Sequence, residues 1–185
     1  MSDYQLSALF SPDGLMGQTL PNYRLRPGQV EFALAIKQSL AQASDLVIEA
    51  ETGIGKSLGY LIPILLSNQR VLISTYTKLL QDQIFYEDME IALRVLGSSK
   101  KVAVLKGRSN YLCLYKFSQL FESPSKTLSL VMLAEVDEVK AWSMRTRTGD
   151  LSELEVLSSD LTPLITATVD ECQKTRCPRF DQCAL

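Results

Sequence analysis

Leu46-Val47-Ile48-Glu49-Ala50-Glu51-Thr52-Gly53-Ile54-Gly55-Lys56-Ser57 is the stretch that decides the fold. Its first five residues read as a buried strand. The strand runs into a loop of phosphate-binding spacing that ends in Gly-Lys-Ser, with Ala50 where the strictest form has glycine. In such a loop the backbone N–H groups turn inward around phosphate oxygens, and the positive end of the following helix adds to the attraction. Gly53 and Gly55 allow backbone angles and close approaches that a Cβ would block. Lys56 supplies a point charge to β- and γ-phosphates, and Ser57 a hydroxyl ligand for Mg²⁺. The bland alternative is a glycine turn with an exposed lysine. An apolar strand before the loop and an apolar helical run over 58–66 after it favour a nucleotide.

Outward from the loop, strands and helices alternate. Residues 1–22 read as loop, with turn signals at Ser11-Pro12-Asp13-Gly14 and Leu20-Pro21-Asn22. A helix starts at Arg26-Pro27-Gly28-Gln29 and carries an apolar face to about residue 43. Residues 46–50 form the first strand, and the next helix runs over 57–68, where Pro63 predicts a kink or local break. Residues 70–75 read as a second strand, 77–96 as a helix interrupted near 86–88 and ended at Gly97, and 101–105 as a third strand. This order implies an α/β fold with a parallel, doubly wound sheet and a ligand at the strands' C-terminal ends. After Gly107 the rhythm changes to helices over 115–121 and 127–143, a Ser-Pro-Ser turn between them, then short helix and loop. A boundary falls at Lys106/Gly107, giving a sheet-building lobe over 1–106 and a small helical module over 107–185.

The 185 residues suffice for one domain or one and a fraction. An apolar share of 46% is that of a globular chain. The longest apolar run, 60–66, is far short of the roughly 20 residues that span a bilayer, so no membrane role is expected. The start, Met-Ser-Asp-Tyr-Gln, has neither a basic segment nor an apolar one, which predicts a cytoplasmic protein. Net charge is −2, but residues 98–147 hold 9 Lys/Arg against 4 Asp/Glu. That local excess suits either a phosphate backbone or a solvated helix face. No histidine is present, which excludes imidazole general-base catalysis and Cys/His metal sites within these residues.

Four cysteines, Cys113, Cys172, Cys177 and Cys183, all lie in the second module. In a cytosolic chain they point to metal ligation before disulfides. The last three are spaced C-x4-C-x5-C in a stretch poor in apolar residues, whereas buried free cysteines favour apolar surroundings. Four thiolates suit tetrahedral Zn²⁺ or an iron–sulfur cube, and the spacing alone leaves both open.

With these motifs in place, the chain resembles the N-terminal part of the iron–sulfur superfamily 2 DNA helicases of the DinG and XPD type. The likeness covers almost the whole chain. Tyr23-Arg24-Leu25-Arg26-Pro27-Gly28-Gln29 is similar to that family's Q-motif-like segment, which implies that Gln29 helps read adenine. Residues 49–57 are similar to motif I, with Glu51 and Ile54 where glycine and threonine are commoner. The resemblance thus implies ATP and Mg²⁺ on Gln29, Ala50, Glu51, Thr52, Gly53, Ile54, Gly55, Lys56 and Ser57, with Lys56 and Ser57 as the catalytic pair. Ile73-Ser74-Thr75-Tyr76-Thr77-Lys78-Leu79-Leu80-Gln81-Asp82-Gln83 looks like motif Ia, making Thr75 and Thr77 contacts to single-stranded DNA. Without the family, the same residues read equally as a helix N-cap. Lys106-Gly107-Arg108-Ser109-Asn110-Tyr111-Leu112-Cys113 matches the approach to the family's cluster domain. Trp142, Thr146-Arg147-Thr148-Gly149-Asp150 and the terminal cysteines complete that domain. A [4Fe–4S] cluster on Cys113, Cys172, Cys177 and Cys183 is implied, with Zn²⁺ as the alternative.

Further DNA contacts follow at Lys106, Arg108 and Lys116 for phosphate and at Tyr111 for stacking, although Tyr111 could equally pack in the module's core. The resemblance implies partial coverage of a RecA-like motor lobe. It also implies single-stranded or forked DNA as partner, a replication or repair protein beside it, and 5′-to-3′ movement. The acidic box that would complete the Mg²⁺ site is not among these residues. The 185-residue piece is therefore expected to bind nucleotide without hydrolysing it or unwinding DNA alone. The rival readings are another P-loop NTPase or kinase with a structural zinc, and a non-catalytic ATP- and DNA-binding module.

Overall fold

The computed structural model describes residues 1–122 and 130–184. They fall into two units, Met1–Val104 and Leu105–Leu185.

The first unit is a layer of helices over three irregular segments. α1 (Asp3–Leu9) and α2 (Leu15–Thr19) lead, then α3 (Pro27–Gln42), α4 (Lys56–Leu66), α5 (Lys78–Asp82) and α6 (Met89–Leu96). The loop expected over residues 1–22 is therefore corrected. Ser2 and Gln5 form a reciprocal capping box that starts α1. Leu6, Phe10 and Met16 then bury completely in the core. A turn-rich stretch folds into helices here because these three residues reach that core, with Leu9 and Leu20 packed against it. Tyr23 fastens the segment by donating its hydroxyl proton to the Phe10 carbonyl at 2.9 Å.

α4 is apolar nearly throughout and supplies Leu61, Ile62 and Leu65 to the core. It runs unbroken through Pro63, which is itself buried. Packing on both sides of the proline holds the turn that its missing N–H would otherwise weaken. Between α5 and α6 the helix widens into a π segment, Gln83–Asp88, at the expected interruption. Gly97 ends α6 in the left-handed conformation.

The strands expected over 46–50, 70–75 and 101–105 are not paired, and no strand ladder occurs among the described residues. Their burial nevertheless alternates with the period of a pleat. Ile48 and Ala50, Ile73 and Thr75, and Val102 and Val104 are half-buried, with Ile73 and Val102 packed on the helical core. The intervening side chains face out, Val47 at 98% exposure and Leu72 at 92%. A parallel sheet is stable when both faces are covered. Here the helices cover one face of these segments, and the ladder does not form.

In the second unit, α7 (Leu114–Glu122), α8 (Leu130–Ser143) and the short α9 (Thr162–Ile165) enclose a separate core. Its members include Phe117, Val139, Trp142, Leu161 and Ile165. The expected Ser-Pro-Ser turn, and the start of the helix expected from 127, lie outside the described residues.

Phe10→Ala should cost about 3–5 kcal/mol in urea unfolding, as for a fully buried aromatic. A change below about 0.5 kcal/mol, typical of an exposed loop, would show that the N-terminal segment is not docked.

Candidate nucleotide site and cysteine cavity

The phosphate loop takes its shape from two glycines. Gly53 and Gly55 have φ of +85° and +82°, in the left-handed region. Gly55 is the N-cap of α4, and Lys56 is its first residue. The Lys56 ammonium donates to the carbonyls of Ala50 at 3.0 Å and Glu51 at 2.7 Å, so it lies folded across the mouth of its own loop. The Tyr60 phenol stands close to Ser57. That phenol is pushed above its ordinary pKa first by burial and then by the Asp88 carboxylate, against the lowering influence of the nearby Ser57 hydroxyl.

Beside the loop lies an open cavity of about 780 Å³. Ala50, Glu51, Thr52, Gly53 and Ile54 line one wall, and Arg26, Glu31 and Phe32 stand among the residues of the other. Arg26 was not singled out from sequence. Its position directly before the helix-starting Pro27 was the available signal. Gln29 is placed differently from expectation, since it is 3% exposed and its amide nitrogen donates to the Gly55 carbonyl at 2.8 Å.

The expected DNA contacts divide. Thr77 caps α5, its hydroxyl oxygen accepting from the Leu80 N–H at 3.2 Å, while the Thr75 hydroxyl donates to the Thr77 carbonyl at 3.2 Å. Thr77 and Tyr76 are exposed. Lys106 is not available to a phosphate. Its side chain is 1% exposed, and its ammonium pairs at 2.8 Å with the carboxylate of Asp150, whose side chain is 4% exposed, and also donates to Ser152 Oγ at 3.0 Å. Stacking by Tyr111 is corrected likewise. Its ring is buried, and its hydroxyl accepts from the Lys106 N–H at 2.9 Å. An isolated antiparallel bridge joins Tyr111 to Asp150. The lysine and tyrosine of this basic motif therefore form a buried clasp with the Thr-Gly-Asp turn. Lys116 donates to the Pro163 carbonyl at 2.8 Å and pairs with Glu171 at 3.1 Å. The Glu171 carboxyl lies below its usual range, chiefly through the Thr168 N–H and then through Lys116.

Glu153 was missed from sequence and organises the same turn. Its carboxylate accepts from Trp142 Nε1 at 2.9 Å, from the Thr146 hydroxyl at 2.8 Å and from the Thr148 hydroxyl. Burial pushes its pKa up, but these bonds together hold it below the ordinary value. A lone glutamate three residues past Asp150 gives no hint in sequence of three donors arriving from upstream.

All four cysteines are free thiols and line one cavity of about 420 Å³. Cys113 is set directly before α7, its N–H donating to the Ile165 carbonyl at 2.7 Å. Cys177 and Cys183 each follow a single 3₁₀ turn, Lys174–Arg176 and Phe180–Gln182. Among the described residues no three Cys, Asp or Glu side chains converge closely enough to hold a metal ion. The donor types lining the cavity, four thiols with no imidazole in the chain, suit thiolate ligation.

Removing one partner from the buried pair leaves an uncompensated charge, so Asp150→Asn should destabilise the second unit by about 3–5 kcal/mol. Burial raises the Asp150 pKa, but the Lys106 and Ser152 hydrogen bonds outweigh it and leave the pKa depressed. This contribution is fully present above the unfolded aspartate value of about 3.9. It is lost as pH falls through the lower folded value. Acid unfolding followed by Trp142 fluorescence should show this loss in the wild type and not in Asp150→Asn.

The DEAD/DEAH box helicase family matches residues 29–175. The chain is 38% identical over 181 residues to the ATP-dependent DNA helicase YoaA of Haemophilus influenzae, covering 97% of this chain and 28% of that protein. It is 37% identical over 176 residues to the ATP-dependent DNA helicase YoaA of Escherichia coli, covering 94% and 28%. It is also 37% identical over 147 residues to the 3′-5′ exonuclease DinG of Bacillus subtilis, covering 77% and 16%. The chain thus spans less than a third of the length of these curated relatives. With its phosphate loop inside the matched region, the chain belongs to the DEAD/DEAH box helicase family, and within it is similar to helicases of the DinG type.

Proposed function

We propose that this chain is the nucleotide-binding N-terminal segment of an ATP-dependent DNA helicase. It comprises part of a RecA-like motor lobe followed by a four-cysteine module. The phosphate loop carries this reading, because Gly53 and Gly55 are left-handed at the mouth of α4 and Lys56 is held within reach of the loop's interior. When Mg-ATP arrives, Lys56 exchanges two neutral carbonyls for phosphate oxygens, a stronger charge-assisted pairing. Ser57, the second residue of α4, would offer its hydroxyl to the metal ion. The N–H groups at the start of α4 have no intrahelical partners and complete the cradle.

Single-stranded DNA runs past the 75–77 segment in this reading. Thr77 donates its hydroxyl proton to a phosphate and keeps its capping bond, which positions the strand without reading sequence. Arg108 and Lys116 supply positive charge on the second unit. Movement is 5′ to 3′, and a replication or repair protein recruits the complete enzyme. A cytosolic location accords with four unpaired thiols.

The cysteine cavity holds a [4Fe–4S] cluster in this reading. Its support is the four-thiol donor set lining one cavity, a set that suits four-cysteine ligation. Cys113, Cys172, Cys177 and Cys183 would be the ligands. Bound there, the group supplies four metal–sulfur bonds between the start of α7 and the two 3₁₀ turns. Lys116 and Glu171 brace the same wall by joining α7 to the loop that carries Cys172.

Lys56→Ala should weaken Mg-ATP binding, read by calorimetry, at least tenfold, about 1.4 kcal/mol or more. Unchanged affinity would exclude the phosphate loop as the site. Protein purified without oxygen should be brown and contain about four iron and four sulfide per chain. Colourless protein with one zinc would instead establish the zinc alternative. Cys113→Ser that retained the full iron content would remove Cys113 from the ligand set.

A further inference from the structure

We propose that Gly149 is a positioning residue of the four-cysteine site, setting how the first thiol, Cys113, and the last, Cys183, are held at one cavity. The inference rests on the thiolate-ligation reading above and adds a residue from outside the ligand set.

Cys172, Cys177 and Cys183 are kept together by the chain itself, since the last two each follow a single 3₁₀ turn. Cys113 comes from far upstream, and closing so long a segment has an entropic cost that tertiary contacts must offset. Two backbone bonds fix its place. The Cys113 N–H donates to the Ile165 carbonyl at 2.7 Å, and the N–H of its neighbour Leu112 donates to the Gly149 carbonyl at 2.9 Å. Gly149 thus holds the residue before the first thiol.

The same glycine faces the residue after the last thiol. A Cβ built on Gly149 would lie 2.9 Å from Ala184 Cβ. Neither carbon is the end of a flexible side chain, so the backbone of one segment would have to move. The φ of Gly149 is +66°, in the left-handed region, so glycine suits this position for a second reason. Cys113 and Cys183 line the cavity, while Gly149 braces both from outside its wall.

The turn is poorly placed to yield. The Gly149 N–H donates to Thr146 Oγ1 at 3.0 Å, and that hydroxyl donates onward to Glu153 at 2.8 Å. Asp150 is bridged to Tyr111 and paired with Lys106. With its N–H, its carbonyl and the next residue all committed, a side chain at 149 displaces Ala184, and Cys183 with it, before it displaces the turn.

The test follows iron release to a chelator, by loss of visible absorbance, in protein purified without oxygen. Gly149→Asn adds the Cβ with a residue that tolerates the left-handed conformation. It should release iron about tenfold faster than wild type, the low end for losing an outer partner of a metal ligand. Adding Ala184→Gly removes the facing methyl and should return most of that loss. Ala184→Val crowds the same gap from an exposed position and should also speed release. A glycine needed only to make the turn would give no rescue by Ala184→Gly and no effect of Ala184→Val, and either result would overturn the proposal. So would folded Gly149→Asn that released iron at the wild-type rate. If Gly149→Asn does not fold, as read by Trp142 fluorescence, Ala184→Val alone decides. Should the wild type hold one zinc in place of iron, the same comparisons read zinc release. Wild-type protein that held neither metal would overturn the thiolate-ligation reading itself, and the proposal with it.

Discussion

The first unit depends on one constraint, that the polar backbone of the 50–56 turn must be satisfied while its amides stay open to a ligand. A carbonyl taken out of water cannot stay unpaired without cost. Here Lys56 covers the carbonyls of Ala50 and Glu51, and Gln29 covers that of Gly55. Side chains supply these donors, together with the Gly59 N–H that opens α4 on the Gly55 carbonyl. The same arrangement sets where α4 begins, and the core follows, because Leu61, Ile62 and Leu65 are placed by the helix's first turn.

The second unit is organised on a comparable principle but with charge. Lys106 and Asp150 are taken out of water together, and such a pair is retained when both ions are further hydrogen-bonded. Ser152 serves both partners, its hydroxyl accepting from Lys106 and its N–H donating to Asp150. The clasp closes the chain just before Cys113. Glu153 gathers Trp142, Thr146 and Thr148 a few residues away. The cysteine cavity is therefore framed by buried polar contacts as well as by apolar packing.

Motif chemistry and helix periodicity were both legible in the chain. Gly-x-Gly-Lys-Ser predicts left-handed glycines at the mouth of a helix, because those angles follow from local sterics alone. Helix faces over 27–42, 78–96 and 114–122 are legible for the same reason, since each is a repeat within a few residues. The fate of the three strand-like segments was not legible. Their alternation survives in Ile48, Ile73 and Val102, but ladder pairing and the cover over Val47 and Leu72 come from elsewhere in a fold. Residues 1–22 fold as two short helices although turn signals crowd the stretch, because Leu6, Leu9 and Phe10 share one helical face that only a core formed by other segments can bury.

The sequence by itself determined the phosphate loop, the left-handed glycines, the four-thiol donor set and the family. These rest on residue type at short spacing, where the chain's own geometry leaves few choices. Tertiary structure alone decided what the long polar side chains do. Gln29, Lys106 and Tyr111 each looked like a hand extended to a ligand, and each turned inward to satisfy the protein's own backbone or a buried charge. Their reach spans several alternatives of similar local energy. Only the partners brought up by distant segments, Gly55, Asp150 and Ser152, select among them.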